Sequence, residues 1–202
     1  MSATGITVSA SGSASAAPDR AVLQLAVETT APSVQVAVER ATASIGVMRS
    51  ALLDAGVVAG DLRSTEALVY RDHDRGARRY VARFGLSATV PDVTAAGSIA
   101  QAALAAGGDN ARLAGLSFGH SDPAALRAAA RETAFAHART KAEQLAGLAG
   151  RTLGAVEEIT EHDRGGGGPM PAPRFSADAA AMSFDAGEQE VSVSVTVRWA
   201  WA

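Results

Sequence analysis

The sequence predicts an α+β fold, in which antiparallel-rich sheets carry about three packed helices in the element order ββαββαβαββ. Several segments alternate apolar and polar residues, which is typical of strands with one face packed and one face in water. One longer segment repeats apolar residues at steps of three and four, and another begins with a clear helix-start signal. Together these elements indicate helices packed on sheet faces.

The first part of the chain contains two predicted strands and a helix. "ITVSASG", after Gly5, alternates apolar and hydroxyl residues, and "RAVLQLAVET" resumes the alternation after Pro18 and Asp19. Gly56 is the expected end of the helix. Its predicted apolar stripe comprises Val34, Val38, Ala41, Ile45, Met48 and Leu52.

A hairpin follows, over residues 61–90. Its strands are "DLRSTEALVY" and "RRYVARFGLSATV", and they flank "RDHDRGA", where Gly76 can take a positive φ in the turn. A short helix is expected from about residue 92 to 106, ending at Gly107 and Gly108.

The second part begins with the strand "ARLAGLSFGH" and a long helix. Asp122 is suited to cap that helix, and Pro123 suits its first position, where the missing N–H costs nothing. We expect the helix to end at Gly150. "RTLGAVEEIT" and "EVSVSVTVRWAW" are the last strands. The latter places valines and tryptophans on one face, and it would promote aggregation if it lay at a sheet edge.

Between these last strands, "DRGGGGPMPAPRF" belongs to a Gly/Pro-rich insert over residues 163–187. A phosphate-binding P-loop requires Lys and Ser or Thr after the glycines, and here prolines remove N–H donors instead. We therefore predict a flexible linker. The alternative is an ordered arm that packs on a neighbouring subunit through Met170, Phe175, Met182 and Phe184.

Composition narrows the function classes. The 202 residues favour a single domain over 1–202, and a net charge of −3 provides no overall attraction to nucleic acid. The absence of cysteine excludes thiolate metal sites and a cysteine nucleophile. No window approaches the roughly 18 apolar residues of a membrane span, so we expect a soluble protein.

Three blocks of the sequence resemble the SIMPL-domain family, a bacterial group of largely uncharacterised function. They are "ITVSASGSASAAPDRAVLQLAVET", "GLSFGHSDPAALRAAARETAFAHARTKAEQLAGLAGRTLGAVEEI" and "AGEQEVSVSVTVRWAW". The resemblance implies a β-α-β domain with a β-rich part, envelope association, links to stress tolerance and self-assembly in some members. It implies no catalytic residue set. The chain shows no export signal, which predicts a cytoplasmic protein if Met1 is the native start and a periplasmic or exported one if the chain is truncated.

Catalytic and metal-binding patterns receive no support from the sequence. His73 lies between two aspartates at the hairpin tip, where a solvated turn is expected, and His137 lacks the partner spacing of HExxH. No Gly-x-Ser-x-Gly elbow is present. We therefore expect no enzymatic activity and no cofactor or metal.

The hairpin carries a group of arginines that includes Arg71, Arg79 and Arg83. Alternation directs Tyr80 and Phe84 to the apolar side, so Arg79 and Arg83 share the opposite face. Such a face suits a small anion or an acidic partner. A solvated strand face and a subunit contact are the alternatives.

From these features we expect a non-enzymatic, self-assembling SIMPL-domain protein that forms a homo-oligomer and binds no nucleic acid. The predicted subunit contacts are Met170, Phe175, Met182, Phe184, Trp199 and Trp201. The alternative function is an anion-binding or acidic-partner module at the arginine hairpin, residues 71–83.

Overall fold

The computed structural model describes residues 5–72, 79–162 and 184–202. It confirms the α+β class and the element order ββαββαβαββ in that part of the chain. The strands are β1 (Gly5–Ala16), β2 (Arg20–Ala31), β3 (Leu62–Asp72), β4 (Arg79–Val90), β5 (Ala111–Gly119), β6 (Leu153–His162) and β7 (Gln189–Trp201). The helices are α1 (Val34–Asp54), α2 (Ala96–Gly107) and α3 (Ala124–Leu148).

By its internal contacts the chain divides into two compact units. Within the described residues, unit 1 comprises 5–17, 121–162 and 188–202, and unit 2 comprises 18–72, 79–120 and 184–187. Unit 1 contains a three-stranded antiparallel sheet in the order β1-β7-β6 with α3. Unit 2 contains a four-stranded antiparallel sheet in the order β3-β4-β2-β5 with α1 and α2.

The core of unit 1 lies between α3 and one face of its sheet. Strand β7 contributes Val193, Val195, Val197 and Trp199, on the face that the alternation predicted. The Trp199 ring lies 6.3 Å from that of Phe135. The helix faces the sheet with a stripe of small residues, which are Ala130, Ala134, Ala138, Ala142 and Ala146. Because these side chains are short, the helix backbone lies close to β1. Gly12 of β1 lies directly under it, where an added Cβ would contact Ala130 and Thr133 backbone atoms.

Strand β7 is the central strand of its sheet, paired with β1 on one side and β6 on the other. The aggregation hazard considered for an edge position therefore does not arise within this sheet, because both of its backbone edges are paired. The pairing joins Gly5 to Ala200 and Ala16 to Gln189, so the first and last strands of the described chain lie side by side in one sheet.

The core of unit 2 is formed where α1 and α2 cover one face of the larger sheet. Leu23, Leu25 and Val27 of β2 are buried there, as their alternation predicted. On α1, the predicted stripe is buried at Ala41, Met48 and Leu52 but not at its beginning. Val34 lies in the first turn and remains largely exposed, because the buried face starts one turn later, at Ala37.

The predicted glycine ends of all three helices are confirmed: α2 ends at Gly107, and glycines follow α1 and α3 in the same way. Gly56 and Gly150 have φ values of +92° and +64°. In each case the next residue donates its N–H back to the helix, Val57 to the Leu52 carbonyl at 3.0 Å and Arg151 to the Ala146 carbonyl at 2.9 Å. These bonds satisfy carbonyls that a helix end leaves free.

The start of α3 differs by one residue from the prediction. The Asp122 carboxylate accepts from the Ala124 N–H at 2.9 Å, which confirms the cap. Pro123 precedes the first helical residue rather than occupying it, and its carbonyl accepts from the Arg127 N–H. The proline still costs no hydrogen bond, since donors at a helix start have no partner within the helix.

Candidate functional site

The register of β3 and β4 determines where the predicted arginine group lies. Residues directly opposite each other in an antiparallel pair share a face. Arg83 lies opposite Leu68, and Arg79 lies opposite Asp72, so these two arginines share the face turned away from the helices. Arg71 lies opposite Tyr80, which belongs to the other face. The structure therefore does not bring Arg71, Arg79 and Arg83 together.

Carboxylates accompany the two arginines that share a face. The Arg83 Nε lies 3.0 Å from the Glu66 carboxylate, and Glu28 of β2 lies opposite Arg83 on its other side. Arg79 has Asp72 as its cross-strand neighbour. This face of the hairpin therefore carries balanced charge rather than a concentration of positive charge.

Strand β3 is an edge of the unit 2 sheet and exposes consecutive large side chains. Leu68, Val69 and Tyr70 are 49%, 43% and 50% exposed. Because successive side chains point to opposite faces, apolar surface is exposed on both faces of this edge. A register shift near Ser64 is confined to the beginning of the strand and leaves the remainder regularly paired with β4.

The predicted subunit contacts occupy different environments. Met170, Phe175 and Met182 lie outside the described residues. Phe184 packs against the unit 2 core, and Trp199 is only 2% exposed within the unit 1 core. Trp201 lies opposite Leu153 at the end of the sheet and is partly exposed.

The free edge of β1 is occupied by side chains of α3. The Lys141 Nζ donates to the Ser9 carbonyl at 3.3 Å, and the His137 Nδ1 lies 3.0 Å from the Ser11 carbonyl oxygen. Lys141 and His137 are four residues apart, so both project from one side of the helix. Neither role was predicted for these residues, because the sequence does not indicate which strand lies beneath α3. His73 lies outside the described residues.

The face of the unit 1 sheet opposite α3 carries a cluster of hydroxyl side chains and one histidine. A concavity of about 440 Å³ is lined there by Ser9, Ala10, Ser11, His162, Ser194 and Thr196. We call its polar residues, Ser9, Ser11, His162, Ser194 and Thr196, the hydroxyl site.

The hydroxyl site is held together by hydrogen bonds across the strands. The Thr196 hydroxyl is bonded to the Ser9 hydroxyl at 2.8 Å and to the His162 Nε2 at 2.9 Å. The Ser11 and Ser194 hydroxyls are bonded at 2.7 Å. The alternation of β7 indicates its polar face, but no local pattern indicates that His162 lies beside it. Its only sequence signal was its position at the end of a strand, since the pairing of β6 with β7 joins distant segments.

Two further features are absent from the described residues. Within residues 5–72, 79–162 and 184–202, no group of three or more His, Asp or Glu side chains is arranged to hold a metal ion. Of the helices in the same part of the chain, none is both long and apolar enough to cross a membrane.

The architecture defines an α+β protein built from two antiparallel sheets, one with α3 on one face and the other with α1 and α2 on one face. The model of the SIMPL family, described as a protein of unknown function (DUF541), matches residues 6–199. The chain therefore belongs to the SIMPL family, as its sequence resemblance indicated, and the match extends over both units. None of the curated proteins compared with the chain matches it.

Proposed function

We propose that this SIMPL protein is a non-enzymatic homo-oligomer whose copies associate through the edge strand β3. The observation that carries the proposal is the run of exposed side chains Leu68, Val69 and Tyr70 on an edge strand of eleven residues. An edge strand presents unpaired N–H and C=O groups, and an exposed apolar one is a template for pairing with another chain. A second copy would bury both the backbone edge and the apolar side chains.

Strand β3 is better suited to this contact than β6 and β1, the two edge strands of the unit 1 sheet. Proteins protect such edges with charge, proline, bulges or covering elements. Residues 67–70 of β3 contain neither charge nor proline. Strand β6 also exposes Val156 and Ile159, but the charged side chains Glu157, Glu158 and Glu161 lie among them, and charged side chains protect an edge strand from pairing. The free edge of β1 already accepts hydrogen bonds from α3.

The alternative function, an anion or acidic-partner site on the arginine hairpin, receives less support. On the face shared by Arg79 and Arg83, the carboxylates of Glu28, Glu66 and Asp72 offset the positive charge of the arginines. Anion recognition by arginine requires guanidinium groups that converge on the ligand. An envelope or stress-related role, which the family resemblance implies, would be exercised by the assembled form.

The proposal is tested by light scattering behind a sizing column on the full chain, over a dilution series. We expect a discrete multiple of the 20.4 kDa chain mass, which falls to the monomer mass in the double variant Leu68→Lys, Tyr70→Lys. The added charges would have to be desolvated or placed next to each other in the paired edge.

The matched control is Val47→Lys on α1, since Val47 is also 50% exposed but lies on a helix. It should leave the mass unchanged. Circular dichroism of all variants shows whether the fold is retained. A monomeric wild-type chain at every concentration would contradict the proposal, and so would a folded double variant that keeps the oligomeric mass.

A further inference from the structure

We infer that the hydroxyl site on the unit 1 sheet binds a neutral, polyhydroxylated small molecule such as a mono- or disaccharide. The inference is independent of assembly through β3, because the two features lie in different units and use different residues. It rests on the hydrogen-bonding capacity, charge, size and rigidity of the concavity.

The hydrogen-bond network of the site matches the hydroxyl groups of a sugar. A hydroxyl group donates one hydrogen bond and accepts two, and a neutral imidazole has one donor and one acceptor nitrogen. In the chain from Ser9 through Thr196 to His162, every bond can run in either direction, depending on the histidine tautomer. The unused donors and acceptors can therefore adapt to a ligand hydroxyl that either donates or accepts. The Ser11–Ser194 pair provides a second adaptable group beside the first.

The charge of the lining favours a neutral ligand. Among the residues that the structure describes, the lining includes neither lysine or arginine nor aspartate or glutamate. The nearest cation along β7, Arg198, is paired with Glu157 at 2.9 Å. A phosphate or sulfate would thus lack the charge-assisted partners that such anions use. Of the described lining residues, Ala10 alone is apolar, so an apolar ligand would leave the hydroxyls without hydrogen bonds to water.

The volume is appropriate for a small ligand. At about 440 Å³ the concavity falls in the range of about 300–1,000 Å³ that is usual for small-molecule sites. Those sites are mostly apolar and enclose the ligand, whereas this one is polar and open to solvent. We therefore expect weak binding, with a dissociation constant of about 1 mM.

The backbone of the two strands that carry the hydroxyls, β1 and β7, is held in place by strand pairing and by α3. Ser194 and Thr196 lie on the central strand β7, which is paired along both edges. On the edge strand β1, the carbonyls of Ser9 and Ser11 are contacted by Lys141 and His137 of α3. The two β1 residues whose hydroxyls line the site are thus the two whose carbonyls α3 contacts. Such pre-organisation lowers the entropy that binding must offset.

The test uses amide chemical shifts of the ¹⁵N-labelled full chain, titrated with N-acetylglucosamine and with trehalose to about 50 mM, well above the expected dissociation constant of about 1 mM. We expect at least one of the two sugars to cause saturable shift changes centred on Ser9, Ser11, His162, Ser194 and Thr196. Thr196→Val preserves the shape of the side chain and removes the hydroxyl that joins two strands. It should weaken binding by about 2- to 10-fold, which corresponds to one hydrogen bond.

Ser13→Ala is the matched control, since Ser13 lies on the same face of β1 but outside the lining. It should leave the affinity unchanged. The inference is overturned if neither sugar shifts these amides, or if Thr196→Val binds as the wild type does. It is also overturned if inorganic phosphate at equal ionic strength produces the same changes while the sugars produce none.

Discussion

The contact between α3 and β1 predicts a large effect of the smallest possible substitution, Gly12→Ala. An ideal Cβ on Gly12 would lie 2.5 Å from the Ala130 carbonyl oxygen and 2.8 Å from the Thr133 carbonyl carbon, and it would also contact the Ala134 backbone nitrogen. Ordinary contacts between such atoms are about 3.5–4.0 Å. All three obstacles are backbone atoms of a helix, so no side chain can rotate away. The helix must therefore move outward by about 1 Å.

The size of the loss follows from that displacement. A gap of about 0.5–1 Å removes about a quarter to a half of the dispersion energy of each contact. The buried alanine stripe of α3 is the whole of the helix's fully buried surface, so the displacement affects most of its packing. We expect the free energy of unfolding to fall by about 2–3 kcal/mol, in the upper part of the usual range for overpacking.

Urea unfolding measured by tryptophan fluorescence provides the assay. The chain has two tryptophans, Trp199 and Trp201, and both belong to unit 1, so the signal reports on the unit that contains Gly12. Gly147→Ala is the control, because an added Cβ at this position of α3 meets no atom within 4 Å. A helical Gly→Ala change in open space should stabilise by up to about 1 kcal/mol. An unchanged unfolding midpoint for Gly12→Ala would refute the reasoning.

Two further predictions concern unit 2. Ser44→Ala should lower the free energy of unfolding by about 1 kcal/mol, because the buried Ser44 hydroxyl donates to the Gly107 carbonyl at 2.9 Å. Thermal unfolding followed by circular dichroism measures this loss, and an unaltered transition would contradict the prediction. Hydrogen bonds from Thr94, first from its hydroxyl and then from its backbone N–H, lower the pKa of Asp92 below its usual value. The ionised Asp92 carboxylate therefore contributes to stability when the pH is above the ordinary aspartate pKa. That contribution is lost as the pH falls through the lowered pKa of the folded state. A carboxyl NMR titration should show a low midpoint that rises in Thr94→Val, and a midpoint at or above the ordinary value would exclude this account.

Features that depend on short stretches of chain were predictable. The alternation of β7 identified its buried face, because side-chain direction in a strand has a period of two residues. Gly56 and Gly150 marked helix ends, since glycine adopts the left-handed conformation there without a Cβ penalty. Asp122 was identified as a cap because its carboxylate accepts from an N–H only two residues further along the chain. The helix nevertheless began one residue later than expected.

The candidate sites depended on pairings that local patterns do not contain. Arg71 lies close to Arg79 and Arg83 along the chain and was grouped with them, but the register of β3 against β4 places it on the opposite face of the sheet. His162 joined the hydroxyl site only because β6 pairs with β7, more than thirty residues away along the chain.

The sequence by itself therefore determined the α+β class, the order of the elements, the buried faces of β2 and β7 and the family. Periodicity and backbone preference are properties of a few neighbouring residues and can be inferred from them. Tertiary structure alone decided that β7 lies between β1 and β6, that β3 lies at an edge, and that Gly12 lies beneath α3. The physical reason is that the position of a strand in a sheet is selected by burial and pairing over the whole chain. A strand that will lie at the centre and one that will lie at an edge can have the same alternating pattern.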